Sequence, residues 1–160
     1  MIPFDDDSKL SVYVPSPKPA KLVAKIDRAE EIDRVLKSLG ADRYDLLLPE
    51  THTLASILHP DEQIIGIVYG KYRIQNNPQS GRGALVATSN RVLLIDKKPL
   101  FEKIDEMTYQ VISGVTYSKV SIAGTVTLHS RVGDIAIRTL NHKCARSFLE
   151  AIEARVLKNT

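Results

Sequence analysis

Apolar residues recur at three- and four-residue spacing between residues 20 and 39, at Leu22, Ile26, Ala29, Ile32, Val35, Leu36 and Leu39. That period places them on one stripe of an α-helix. Pro19 suits its start, and Gly40 falls where a left-handed C-cap would end it. The stripe has two readings: a helix packed on its own core, or a partner-binding or self-associating helix through Leu22, Ile26, Ile32, Val35, Leu36 and Leu39. Residues 41–58 are less regular. Asp42 suits the cap of a short helix over 44–48 that Pro49 would stop, with another turn from Thr51 or Thr53 through Leu54, Ile57 and Leu58.

After Glu62 the period changes to two. Residues 63–74 read as one long strand, with Ile64, Val68, Tyr72 and Ile74 on one face together with Gly66 and Gly70. Glycines inside a strand mark a bend or a close backbone approach. Six further strands follow over 83–88, 91–96, 104–112, 114–122, 125–130 and 135–140, separated by short polar or glycine-bearing turns. The chain then returns to helical spacing. Asn141 is a suitable N-cap, and Ala145, Phe148, Leu149, Ile152 and Val156 form a single stripe that needs a barrel end or corner to cover it. The pattern predicts an α+β chain: a leader with a helical extension over 1–57, then a seven-stranded antiparallel barrel capped by a helix over 58–160. Within the leader, Asp5, Asp6 and Asp7 precede a run with Pro15, Pro17 and Pro19, and Leu10, Val12 and Val14 alternate weakly enough to suggest only a short edge strand.

Composition narrows the classes. The 160 residues carry 22 Lys+Arg against 19 Asp+Glu, a formal charge of +3. The charge is uneven: residues 1–60 hold 8 basic and 10 acidic side chains, and residues 61–160 hold 14 and 9. That excess suffices for a local patch, not for a field over the whole surface. No run of about 18 apolar residues is present, so no transmembrane helix is expected. Residues 1–7 lack an apolar segment, so no signal peptide is expected either. One cysteine, Cys144, excludes an internal disulfide framework and points to a reducing, cytoplasmic setting.

Seven strands followed by one helix is the element order of the pleckstrin-homology barrel, and local stretches strengthen the likeness. LHPDEQII at 58–65 resembles the start of bacterial PH-like domains, where a glutamate precedes the first strand. GALVATSNRVLLI at 83–95 resembles their strand, Thr-x-x-Arg turn and apolar strand, and ISGV at 112–115 and GTVTL at 124–128 fall in the same order. The resemblance spans about residues 58–157 and is nearest the YokE-like bacterial PH group. It implies a barrel that binds phosphoinositides, peptides or other proteins, and relatives that are often oligomeric. Fold alone does not select among these.

Lipid-binding members place basic residues around the loop after the first strand. If strands one, three and five run parallel, their exit loops share one end. That end would gather Lys71, Arg73 and Arg82 at the first loop, Lys97, Lys98 and Lys103 at the third connection, and Lys119 near the fifth. Six of these, Lys71, Arg73, Arg82, Lys97, Lys98 and Lys119, are the candidate anion-binding residues. Such an end would suit a membrane surface, peripheral to the inner face of the membrane, or another anionic ligand.

Catalysis finds little support. His52, His59, His129 and His142 show no metal-ligand spacing with each other or with Cys144. No P-loop and no Gly-x-Ser-x-Gly is present, so neither a cofactor nor an enzyme is expected. With no Trp, 3 Phe and 6 Tyr, the chain offers no aromatic platform for nucleic acid. The sequence therefore predicts a non-catalytic module that contacts a protein partner or a second copy of itself, with anion or membrane binding as the alternative.

Overall fold

The computed structural model describes residues 20–77 and 80–158; the leader and its suggested strand lie outside them. Three helices come first: α1 Ala20–Ser38, α2 Arg43–Leu46 and α3 Pro49–Ile57. Seven strands follow: β1 Ile64–Ile74, β2 Ser80–Thr88, β3 Arg91–Lys98, β4 Phe101–Thr108, β5 Ile112–Val120, β6 Ala123–Ser130 and β7 Ile135–Thr139, before α4 His142–Lys158. A 3-10 turn, Tyr109–Val111, links β4 to β5.

The strands form one antiparallel sheet in the order β4-β3-β2-β1-β7-β6-β5. Helix α4 fills the inner, concave face. Phe148, Ile152 and Ala145 pack there on Val68, Tyr72, Leu85, Leu94, Val126, Leu128 and Ile137. The outer face of β1–β3 is covered as well. Ile67, Tyr69, Val86, Leu93 and Ile95 meet Ile32 and Leu36 of α1 and Leu54 of α3 in a second core. The helical extension thus packs on its own sheet. Within the α1 stripe, Ile32 and Leu36 are fully inside the chain, Val35 and Leu39 pack partly against the second core, and Ile26 stays exposed; the side chain of Leu22 lies outside the described positions.

Two sequence expectations change. Pro49 begins α3 rather than stopping a helix, because its missing N–H costs nothing in a first turn whose donors have no partner anyway. The face assignment on β1 also shifts. The pairing of β1 with β2 slips between Ile64 and Gly66, and this bulge turns Ile64 to the outer core while Ile65 and Gly66 both face α4. Parity counted through the bulge would put Ile64 on the Val68 face.

The joint between α1 and α4 is tight. Gly40 ends α1 at φ 106°, and a Cβ there would lie 2.7 Å from the Lys143 side chain. The Ala41 N–H bonds back to the Leu36 carbonyl, as in a Schellman stop. Asn141 caps α4 by accepting the Cys144 N–H at 3.1 Å, and its amide donates to the Gly40 carbonyl at 2.9 Å and to Asp45 Oδ2 at 3.1 Å. One side chain therefore fixes both the start of α4 and its seat on the helical extension.

Candidate anion-binding groove

Above that joint lies an open groove of about 1750 Å³. Its floor is the outer face of the sheet beyond the reach of α3. Its walls are the α1–α2 connection and the first turns of α4. Eight Lys and Arg line it against four Asp and Glu.

The floor is built by strand register. Lys71 follows Ile67 and Tyr69 on the outer side of β1, with Arg82 opposite it on β2 and Arg138 opposite it on β7. Three cationic side chains thus stand side by side on adjacent strands, about 4.8 Å apart in the pairing direction. Gly70 permits the arrangement. A Cβ at Gly70 would sit 1.8 Å from the Arg138 carbonyl oxygen, so only glycine lets β7 approach so closely. Like charges directly opposite on a sheet are unfavourable by roughly 0.2–1 kcal/mol. Among the described residues, no hydrogen bond or ion pair engages the side chains of Lys71, Arg82 or Arg138. The same holds for Lys37, Lys143 and Arg146 on the walls.

Three of the four acids in the groove, Asp42, Asp45 and Glu50, are already engaged, and Glu150 lies on the α4 wall. Asp42 and Asp45 form a reciprocal cap on α2, and burial pushes the Asp45 carboxyl above its usual range. Glu50 is buried and accepts from the Lys97 backbone N–H at 3.2 Å and from Lys98 Nζ at 3.4 Å. Lys98 Nζ also donates to Asp96 Oδ1 at 2.7 Å, while Tyr72 donates to the other oxygen of Asp96 at 2.6 Å. Burial alone would lower the Lys98 amine, but the Asp96 and Glu50 carboxylates outweigh it and raise it.

The six expected residues therefore separate. Lys71 and Arg82 stand unpaired on the floor. Lys97 and Lys98 also line the groove, but Lys97 is paired with Glu102 and Lys98 with Asp96 and Glu50. Arg73 lies further along β1, outside the lining. Lys119 belongs to a different end. Strand β7 runs antiparallel to β1, so β5 also runs against β1, and the β5–β6 turn lies away from the β1–β2 loop. The premise of parallel strands one, three and five is corrected accordingly. The β6–β7 turn takes the expected place, with the Gln75 N–H bonded to the Asp134 carbonyl at 2.8 Å. Lys37, Arg138, Lys143 and Arg146 were missed. Arg138 becomes visible only once the β1–β7 register is known, although Lys143 and Arg146 share an i,i+3 face that the helix pattern already contained.

A separate buried network explains the glutamate and the Thr-x-x-Arg turn. Glu62 is inaccessible and takes both Arg91 Nε and Nη2, at 2.9 and 3.0 Å. Thr88 Oγ1 and the His59 N–H donate to the same carboxylate. Arg91 reaches on to Glu106 at 3.0 Å on β4, and Arg28 of α1 donates to the Glu62 carbonyl. Burial would raise the Glu62 carboxyl, but these donors hold it at about 2. The network ties α1, the start of β1, the β2–β3 turn and β4 together; its charges are spent inside the fold.

The histidines show local pairings. On the outer side of β5–β6, His129 Nδ1 lies 2.9 Å from Asp134 Oδ2 and its Nε2 lies 3.0 Å from Thr116 Oγ1. His142 bonds Tyr117 and the Ile122 carbonyl, fastening the β5–β6 turn to α4. His142 also lines the edge of the groove, whereas His129 does not.

A seven-stranded antiparallel sheet with α4 closing its concave face is the pleckstrin-homology fold. One solved structure agrees: the Vps36 N-terminal PH domain superposes with a TM-score of 0.50 at 17% identity, covering 64% of this chain and 85% of that one. The PH domain of USP37 gives 0.46 at 16% identity, covering 57% and 97%. Residues 58–154 match the profile of the Bacterial PH domain family, and the chain belongs to that family. No curated protein matches it in sequence. PH folds generally mediate protein or lipid interactions. Among the described residues no helix is long and apolar enough to cross a membrane.

Proposed function

We propose that this chain is a non-catalytic binding module whose groove takes a polyanionic, phosphate-bearing ligand. The observation that carries the reading is the row Arg138, Lys71 and Arg82, set opposite one another on three neighbouring strands without acidic partners among the described residues. A fold that holds three like charges together at a cost in stability gains from an anion that offsets them. Two sources of such chemistry are a soluble phosphate compound and a lipid headgroup. Calorimetry with inorganic triphosphate and sedimentation with phosphatidylserine vesicles in phosphatidylcholine distinguish them. Binding that persists undiminished in the Lys71→Gln/Arg138→Gln variant would sink the reading. A cytoplasmic setting, peripheral to the inner membrane face if the ligand is a headgroup, accords with the single buried Cys144.

A protein partner or a second copy of the chain is the second reading. Strand β4 ends the sheet, and its Phe101 and Ile104 are exposed, as are Val23 and Ile26 on the first half of α1. An end strand with exposed apolar side chains is a template for pairing. Light scattering that reports a monomer at every concentration for both the natural chain and Ile104→Lys would remove the self-association form of this reading. Within the family, nearness to the YokE-like group rests on the stretches at 58–65 and 83–95 alone.

A further inference from the structure

The cation row does not end at the groove. Its register continues across β6 and β5, where Thr125 stands opposite Arg138 and Ser118 stands opposite Thr125. Residues opposite one another in a ladder share a face. Ser118, Thr125, Arg138, Lys71 and Arg82 therefore form one line on the outer side of five neighbouring strands. A second line runs beside it, two residues along each strand, a step of about 6.6 Å. It holds Thr116, Thr127, Ala136, Arg73 and Ser80. Arg73, which the groove leaves out, thus belongs to the same surface.

These two lines contain four cations, five hydroxyls and no carboxylate. Among the described residues, no hydrogen bond or ion pair engages the side chains of Arg73, Ser118, Thr125 or Thr127. All four are exposed or half-buried. The second core, under α1 and α3, draws its sheet residues from β1–β3 alone, so on β5–β7 the outer face stays polar and open.

Phosphate chemistry suits both ends of the line. Phosphate oxygens accept charge-assisted bonds from Arg and Lys and ordinary ones from Ser and Thr hydroxyls. A compact ligand reaches only the cations. From Ser118 to Arg82 the line crosses four strand spacings, about 19 Å at about 4.8 Å each. Filling it takes a chain with an anion at every repeat. Resting on the reading of the groove as an anion site, we infer that the ligand is a linear inorganic polyphosphate laid across the strands. Its anionic groups meet Arg82, Lys71 and Arg138, it continues over Thr125 and Ser118, and Arg73 flanks it. A nucleic-acid strand would call for aromatic faces to stack its bases, and neither line has one. A lipid headgroup is compact and leaves the hydroxyls unused.

The test is calorimetry of the full chain with inorganic triphosphate and with long-chain inorganic polyphosphate. A long chain also offers more binding registers, so variants that keep this factor carry the decision. Ser118→Ala/Thr125→Val removes two hydroxyls from strand positions that tolerate either side chain. It is expected to weaken polyphosphate binding about tenfold and to leave triphosphate binding unchanged. Arg73→Gln is expected to weaken polyphosphate binding and to make it less steeply dependent on salt, again sparing triphosphate. Polyphosphate affinities that coincide in the natural chain and both variants overturn the line. So does an equal loss for the two anions, because the hydroxyls lie beyond the reach of triphosphate. In either case, triphosphate binding that Lys71→Gln/Arg138→Gln abolishes leaves the groove reading standing. If neither anion binds the natural chain, the groove reading and the inference fall together. Oligothymidylate bound as tightly per phosphate, with the same dependence on Ser118 and Thr125, would assign the line to a nucleic-acid backbone and overturn polyphosphate. Phosphatidylserine vesicles bound while polyphosphate is not would overturn it in favour of a lipid surface.

Discussion

Glu62 and Arg91 show how much one pair of side chains can decide. Arg91→Ala would strand an inaccessible carboxylate, and breaking a buried pair in this way costs about 3–5 kcal/mol. Urea unfolding of the variant measures it. The carboxyl is held at about 2, below its ordinary 4.5. A depressed folded value means that the stabilisation is complete above the ordinary value and is lost as pH falls toward the folded one. The urea midpoint of the natural chain is therefore expected to drop between about pH 5 and pH 2, and Glu62→Gln is expected to flatten that slope. Gly40→Ala is a second residue-scale case. Its positive φ and a Cβ 2.7 Å from Lys143 should lower stability by about 1–3 kcal/mol. The sequence made Glu62, Thr88, Arg91 and Gly40 conspicuous, and it correctly made Gly40 a helix stop. It could not say why the first three matter, because their partners come from elements far apart along the chain.

At the scale of elements, the strands and the terminal helix were legible because each has a strong period and clear turn residues. The helical cover was harder. Strands β1, β2 and β3 contain the runs IIGIVY at 64–69, ALVA at 84–87 and VLLI at 92–95, apolar on both faces. Such runs signal burial from two sides, whereas an exposed barrel wall would alternate. That signal was present and points to the α1–α3 cover on the outer face. The bulge at Ile65 was not legible, since one extra residue leaves no compositional mark. Two outcomes follow from the shared core. Leu36→Ala should cost about 2–5 kcal/mol, because the side chain is fully buried between helix and sheet. The chain shortened to residues 58–160 would uncover Ile67, Tyr69, Val86, Leu93 and Ile95. It is expected to aggregate or to bind a hydrophobic dye strongly, which light scattering and dye fluorescence would report.

For the molecule as a whole, strand direction governs where charge gathers. The antiparallel β1–β7 pairing removes Lys119 from the basic end and brings Arg138 beside Lys71. Sequence alone could not order the strands around the sheet, so the place of Arg138 beside Lys71 stayed hidden in it. The row also predicts opposed effects of one substitution. Arg138→Gln should weaken triphosphate binding while raising the thermal midpoint, since relief of cross-strand repulsion is worth roughly 0.2–1 kcal/mol. Calorimetry and thermal unfolding on the same sample check both signs. A substitution that weakened binding and stability together would indicate that Arg138 serves packing instead.

Cys144 gives the assembled molecule a built-in gauge. It is wholly inaccessible in the core that α1 and α3 share with the sheet, and burial, followed by the nearby Asp45 charge, pushes its thiol up to about 12. A thiol reagent can attack it only after the helices lift from β1–β3. The rate of modification in native buffer therefore counts those openings without any introduced label. Because Gly40 and Asn141 hold the same joint, their substitution should quicken the reaction well before the sheet itself unfolds, so a single natural atom can time the parting of the two halves of the fold.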